Sequence, residues 1–212
     1  MKVFVVHYKK LVQRKISIIN QFAAHNIDDY EFIEIDRDEL QNHDQNMFVK
    51  EYSNPQRAIT LSHFYAYKQI ADMYDSALIV EDDILLSSGF MASLTRYLTE
   101  LPADYDMLFL GDGCGLHIPQ TMLIKDKHIY KKTIYPTPWG GNGATRCTDS
   151  YVVSKHYAKK LCDYIQHIPY KINQPIDWWL NTAARDTLCT VYWAEPTIVT
   201  QGTQNGVFKT SY

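Results

Sequence analysis

The chain has 212 residues, with 21 lysines and arginines against 24 aspartates and glutamates and a formal net charge of −3. Hydrophobic residues make up 46% and charged residues 21%, values that exclude a disordered chain. The charge balance excludes the broad basic face of a nucleic-acid-binding domain, though an anionic small ligand remains compatible with it. One domain of this length buries roughly 70% of its unfolded surface and needs no disulfide or metal to hold it together.

The first apolar run, Val3-Phe-Val-Val6, is too short for a signal-peptide core, and no later run approaches the ~20 residues that span a bilayer. A cytoplasmic location, at most peripheral to a membrane, is the expectation. Residues 2–7 read as a buried strand. Leu11, Val12, Ile16, Ile19, Phe22 and Ala23 then fall on one helical face, the side expected to pack inward. Residues 30–36 form a second strand. Pro55 opens a helix reading through Ala58, Leu61, Tyr65 and Ile70. Residues 76–80 are a third strand, 90–101 a helix and 106–111 a further strand. Strands alternating with helices predict an α/β fold with a parallel sheet covered on both faces.

The second half is less regular. Residues 122–135 suggest a hairpin around Lys125-Asp-Lys127, and 139–144 a glycine-rich loop. A strand at 151–154 leads into a helix over 155–168. Pro175 begins another helix, and 190–194 form a last strand. Cys114, Cys147, Cys162 and Cys189 make no CxxC pair and no zinc-like spacing with histidine. Free thiols are therefore the default, while their even number leaves disulfides open. No repeat or linker divides the chain, so a single domain over 1–212 is expected.

The sharpest chemical feature is Ala77-Leu-Ile-Val-Glu-Asp-Asp-Ile84, an apolar strand ending in three consecutive carboxylates. Ligands of parallel α/β sheets collect beyond the carboxyl ends of strands. The two-residue period puts Glu81 and Asp83 on one face and Asp82 on the other. Three adjacent like charges call for a hard divalent cation, Mg²⁺ or Mn²⁺, which commonly bridges to phosphates. The plain alternative is an acidic turn before a capped helix.

This acidic strand resembles the metal-binding motif of nucleotide-sugar transferases with the GT-A fold. The chain as a whole is similar to glycosyltransferase family 25, whose members include lipopolysaccharide and procollagen galactosyltransferases. Other pieces follow in the family's order: the N-terminal strand with Arg14 beyond it, Ile59-Thr-Leu-Ser-His63, Tyr105-Asp-Met-Leu-Phe-Leu-Gly111, Thr148-Asp-Ser-Tyr-Val-Val-Ser154, Pro175-Ile-Asp177, and Glu195-Pro196 with Gln201.

The resemblance implies a single-domain GT-A-like fold, its mixed, mostly parallel sheet flanked by helices. A nucleotide-binding half would cover about 1–112 and an acceptor-binding half about 113–212. It implies an inverting, metal-dependent transfer of a hexose from a UDP-sugar. Galactose is favoured over glucose, and the acceptor is a saccharide or a collagen-type hydroxylysine. A non-catalytic binding relative is the alternative; a metal nuclease is remote without basic runs. Asp83, with Glu81, is the expected ligand of Mn²⁺ (or Mg²⁺), while Glu81 and Asp82 also reach the donor through water or its ribose. His7, Tyr8, Asp36 and Arg14, at or near the ends of the first two strands, and Ser62 in the Leu-Ser-His piece are the expected donor contacts. Asp177, at a helix start beside Trp178 and Trp179, is the candidate general base. Burial would raise its pKa and the helix N-terminus would oppose that, with a simple helix cap as the other reading. The polar segment 201–212 is expected to act as a lid.

Overall fold

The computed structural model describes residues 1–40, 46–113, 115–132, 137, 139 and 143–210. Nine strands form among them: β1 (Lys2–Val6), β2 (Tyr30–Ile33), β3 (Ser76–Glu81), β4 (Ile84–Leu86), β5 (Met107–Phe109), β6 (Ile129–Lys132), β7 (Ser150–Ser154), β8 (Val191–Ala194) and β9 (Val199–Gln201). The helices are α1 (Val12–Ala24), α2 (Asn54–Met73), α3 (Phe90–Glu100), α4 (Lys155–Gln166) and α5 (Ile176–Asp186). None of the described helices is long and apolar enough to cross a membrane.

Seven strands make one sheet in the order β2-β1-β3-β7-β5-β8-β6. β1, β2, β3, β5 and β8 run in one direction, and β7 and β6 run against them. The fold is therefore α/β with a mostly parallel sheet, as the strand–helix alternation predicts. The antiparallel β7 wedges between β3 and β5, so a strand of the second half completes the sheet of the first. β4 and β9 pair as a separate antiparallel ribbon. An isolated bridge from Gly111 to Val199 ties that ribbon to the end of β5.

Side-chain alternation divides the core into two layers. Phe4, Val6, Ala77, Ile79, Phe109, Tyr151 and Trp193 pack under α2, α4 and α5. Val3, Val5, Leu78, Val80, Leu108 and Val152 pack under α1 and α3. The loop before α2 turns on a reciprocal pairing in which the Ser53 amide donates to Gln56 Oε1 at 3.2 Å, with Pro55 in the first turn.

Several expectations are corrected. α1 buries Arg14, Ile18 and Phe22 and leaves Val12, Ile16 and Ile19 exposed. The inward row buries the apolar Ile18 and Phe22 and carries Arg14 to the buried Asp82 carboxylate. Tyr65 is likewise exposed on α2. Residues 122–135 form no hairpin among the described positions. Gln120–Met122 is a 3₁₀ turn, and β6 pairs instead with the distant β8. The glycines at 140 and 141 lie outside the described residues, as does Cys114. Cys162 and Cys189 are free thiols whose pKa values burial pushes up.

Candidate active site

The parallel strands β1 and β3 end side by side, with Val6 in register with Glu81. Beyond their carboxyl ends opens a cavity of about 280 Å³. His7, Tyr8 and Arg14 line it from the β1–α1 side, Ser62 from α2, and Glu81, Asp82 and Asp83 from β3. Of the expected donor residues only Asp36 falls outside the lining. β2 ends at Ile33, and the Asp36 carboxylate is tied to Lys9 and to the Asp38 amide. Arg37 lines the cavity instead, its guanidinium 3.7 Å from the centre of the Tyr8 ring.

The three carboxylates have different surroundings. Asp82, on the α1 face, accepts from Arg14 at 2.7 Å, lies 2.8 Å from His7 Nδ1, and is reached by the Tyr8 amide at 3.4 Å. Glu81 points to the opposite layer, where Thr148 donates to it at 2.8 Å and His63 Nε2 stands 3.7 Å away. Asp83 accepts from the Thr203 hydroxyl through Oδ2, while its buried Oδ1 has no partner. Burial and the nearby Glu81 raise the Asp83 pKa to about 6. Ser62 gives its hydroxyl to Ala58 in the preceding turn, so it meets the cavity as part of the helix wall.

A second cavity of about 180 Å³ adjoins the first, and both share Ile59, Glu81, Gln201 and Gln204 in their linings. Asp177 and Asp149 face it. The Asp177 pKa is raised by burial, even though its own amide and that of Trp178 act to lower it. Desolvation thus outweighs the helix N-terminus here. The tryptophans divide: Trp179 is core, packed on Phe64 and Tyr164, and Trp178 is 53% exposed. Trp139 meets Trp193 edge to face.

Asp149, inside the Thr148-Asp-Ser-Tyr-Val-Val-Ser154 piece, joins the expected residues at this cavity. Entering β7 next to the ends of β3 and β5, it is buried, and its Oδ1 has no partner. Burial first, then Glu81, Asp112 and Asp83, push its pKa well up. The C-terminal segment also reaches the first cavity. Gln201, Thr203, Gln204 and Thr210 line the first cavity, and the Lys209 carbonyl accepts from Arg14 at 2.7 Å.

Hard oxygen donors with buried, unpaired atoms suit a divalent cation. Among the described residues no three His, Cys, Asp or Glu side chains already converge to hold one. Asp83 Oδ1 and Glu81 are the groups that fit, and a cation there would offset both the burial and the Glu81 repulsion that raise the Asp83 pKa.

A family described as glycosyltransferase family 25 (LPS biosynthesis protein) matches residues 1–178. No curated protein matches the chain. Among solved structures, a mutant Drosophila β1,4-galactosyltransferase 7, in complex with manganese, UDP-Gal and xylobiose, superposes with a TM-score of 0.51 at 11% identity. That match covers 96% of this chain and 68% of the other. The galactosyltransferase LgtC, in complex with donor and acceptor sugar analogues, gives a TM-score of 0.51 at 10% identity, covering 95% of this chain and 86% of its own. At such identities the likeness is one of fold.

Proposed function

The chain belongs to glycosyltransferase family 25, and we propose that it moves a hexose from a UDP-sugar to a saccharide acceptor with inversion, assisted by a divalent cation. The observation that carries this reading is the buried, unpaired Oδ1 of Asp83, a residue just beyond the carboxyl end of β3 that lines a cavity large enough for part of a nucleotide. Galactose is the favoured hexose, glucose differing by one hydroxyl, and a collagen-type hydroxylysine is the second acceptor class. Manganese and UDP-Gal in the β1,4-galactosyltransferase 7 complex support the choice of donor and metal.

Asp83 and Glu81 would hold the cation, which when bound stabilises negative charge on the departing diphosphate. Tyr8, backed by the Arg37 guanidinium, offers a flat face for the uracil. His7 and Arg14 fix Asp82 as a polar wall toward the ribose. Across Glu81, the second cavity takes the acceptor, and Asp177 removes the proton of the attacking hydroxyl. The first half of the chain thus serves mainly the donor and the second the acceptor, with the segment after β9 closing over both as a lid.

The direct test is UDP release from UDP-galactose and UDP-glucose, with an acceptor panel, in Mn²⁺ and in chelator. Cation-dependent release that Asp83→Ala abolishes is expected, with a product of inverted anomeric configuration by NMR. Equal release in chelator would contradict the metal assignment, and a retained configuration the single displacement.

A further inference from the structure

Behind the carboxylates, α2 and β7 bury a line of polar groups that the chemistry above leaves unused. His63, Tyr67 and Tyr151 have no exposed surface. The two tyrosine hydroxyls lie 2.7 Å apart, and the Tyr151 hydroxyl lies 2.7 Å from His63 Nδ1. The His63 ring also stacks on Tyr151, with centroids 5.8 Å apart. One nitrogen of the imidazole is therefore fixed by hydrogen bond and by ring packing. The other, Nε2, is buried and has no hydrogen-bond partner.

A buried, unpaired ring nitrogen is costly, and an apolar side chain at this helix–sheet contact would avoid the cost. What Nε2 faces is Glu81 Oε1, 3.7 Å away, just beyond hydrogen-bond reach. Glu81 lines both cavities, and among the described residues its side chain is anchored by Thr148, which donates to that same Oε1 at 2.8 Å. A shift of under 1 Å in that carboxylate would close the gap.

We propose that His63 is a positioning residue: the Tyr67–Tyr151 pair holds its Nδ1, and its Nε2 grips Glu81 when the donor and cation draw the carboxylate into place. The inference rests on the reading of the first cavity as the donor site. It gives the buried tyrosine pair a purpose: setting the tautomer and orientation of an imidazole that faces Glu81, a residue both cavities share.

Two amide replacements separate this role from plain packing. The asparagine amide falls near Nδ1 of the histidine it replaces and the glutamine amide near Nε2, so each keeps one contact. Calorimetric titration of UDP in Mn²⁺ should find His63→Gln close to the wild-type affinity. His63→Asn, which retains the tyrosine contact but not the one to Glu81, should bind about 10–100-fold more weakly. Equal affinities, or asparagine the tighter of the two, would overturn the inference. A wild-type protein that binds no UDP in Mn²⁺ would overturn the donor reading and this one with it. Should either variant fail to fold, ring ¹⁵N resonances of wild-type His63 answer the same question. On adding UDP with Mg²⁺, Nε2 should shift and Nδ1 stay nearly fixed; an unmoved Nε2 rejects the role.

Discussion

Asp82 commits both carboxylate oxygens to protein partners, whereas Asp83, the next residue, keeps Oδ1 buried and unpaired. Because burial and Glu81 raise its pKa from the ordinary carboxylate value to about 6, the folded chain holds that proton more tightly than the unfolded one. The stability tied to this group is full below pH ~4 and lost as pH rises through about 6. Asp83→Asn should therefore raise the melting temperature of the metal-free protein at pH 7 by a few degrees, on the order of 1–2 kcal/mol after allowance for solvent screening. It should also remove any stabilisation by Mn²⁺. Melts at pH 5 and pH 7 check this, and a variant less stable than wild type at pH 7 would count against a strained carboxylate. For Asp177, raised by burial, the acid limb of kcat/KM should lie above the usual carboxylate range, activity falling as the base gains its proton. Asp177→Asn should lose about 10²–10⁴ in rate and the limb with it; near-full turnover would leave Asp177 a helix cap. Glu81, Asp82 and Asp83 were legible because three charges at the end of an apolar strand have few structural uses. Asp149 was not, because a lone aspartate entering a strand looks the same whether it faces water or a site. Asp36 falls outside the lining of the first cavity because the strand before it stops three residues early, at Ile33.

At the scale of elements, long strands and helices declared themselves through period and caps, and short or distant pairings did not. β4 and β9 have three residues each, too few for a pattern, yet their ribbon brings Thr203 to Asp83. The α1 face was misread because the inward row is Arg14, Ile18 and Phe22, two large apolar side chains and one ion pair to Asp82, which leaves Val12, Ile16 and Ile19 outside. The antiparallel β7 could not be inferred, since direction is set by its partners and not by its own residues. Its junction with β5 is tight: a Cβ on Gly111 would come within 1.9 Å of Asp149 Oδ2. Gly111→Ala should thus force the ends of β5 and β7 apart, costing about 1–3 kcal/mol and weakening UDP binding. Urea unfolding is the check, and an unchanged midpoint would mean that Asp149 swings away freely.

Across the whole molecule, one sheet carries both adjoining cavities. β1 and β3 bring the first cavity, the chain from β7 to α5 brings Asp149 and Asp177 to the second, and Glu81 stands between them. The fold was legible because short motifs follow in a family's order along the chain, and that family's model matches residues 1–178, which hold all of them but Glu195-Pro196 and Gln201. The net charge of −3 conceals a local excess of carboxylates that a cation would balance before an anionic donor binds. Calorimetric titration of UDP into the wild-type chain, with Mn²⁺ and then with chelator, tests that claim most directly. One UDP per chain in Mn²⁺, weakened at least about tenfold by chelation, is the expected result; equal affinity in both buffers would contradict a cation-bridged donor site.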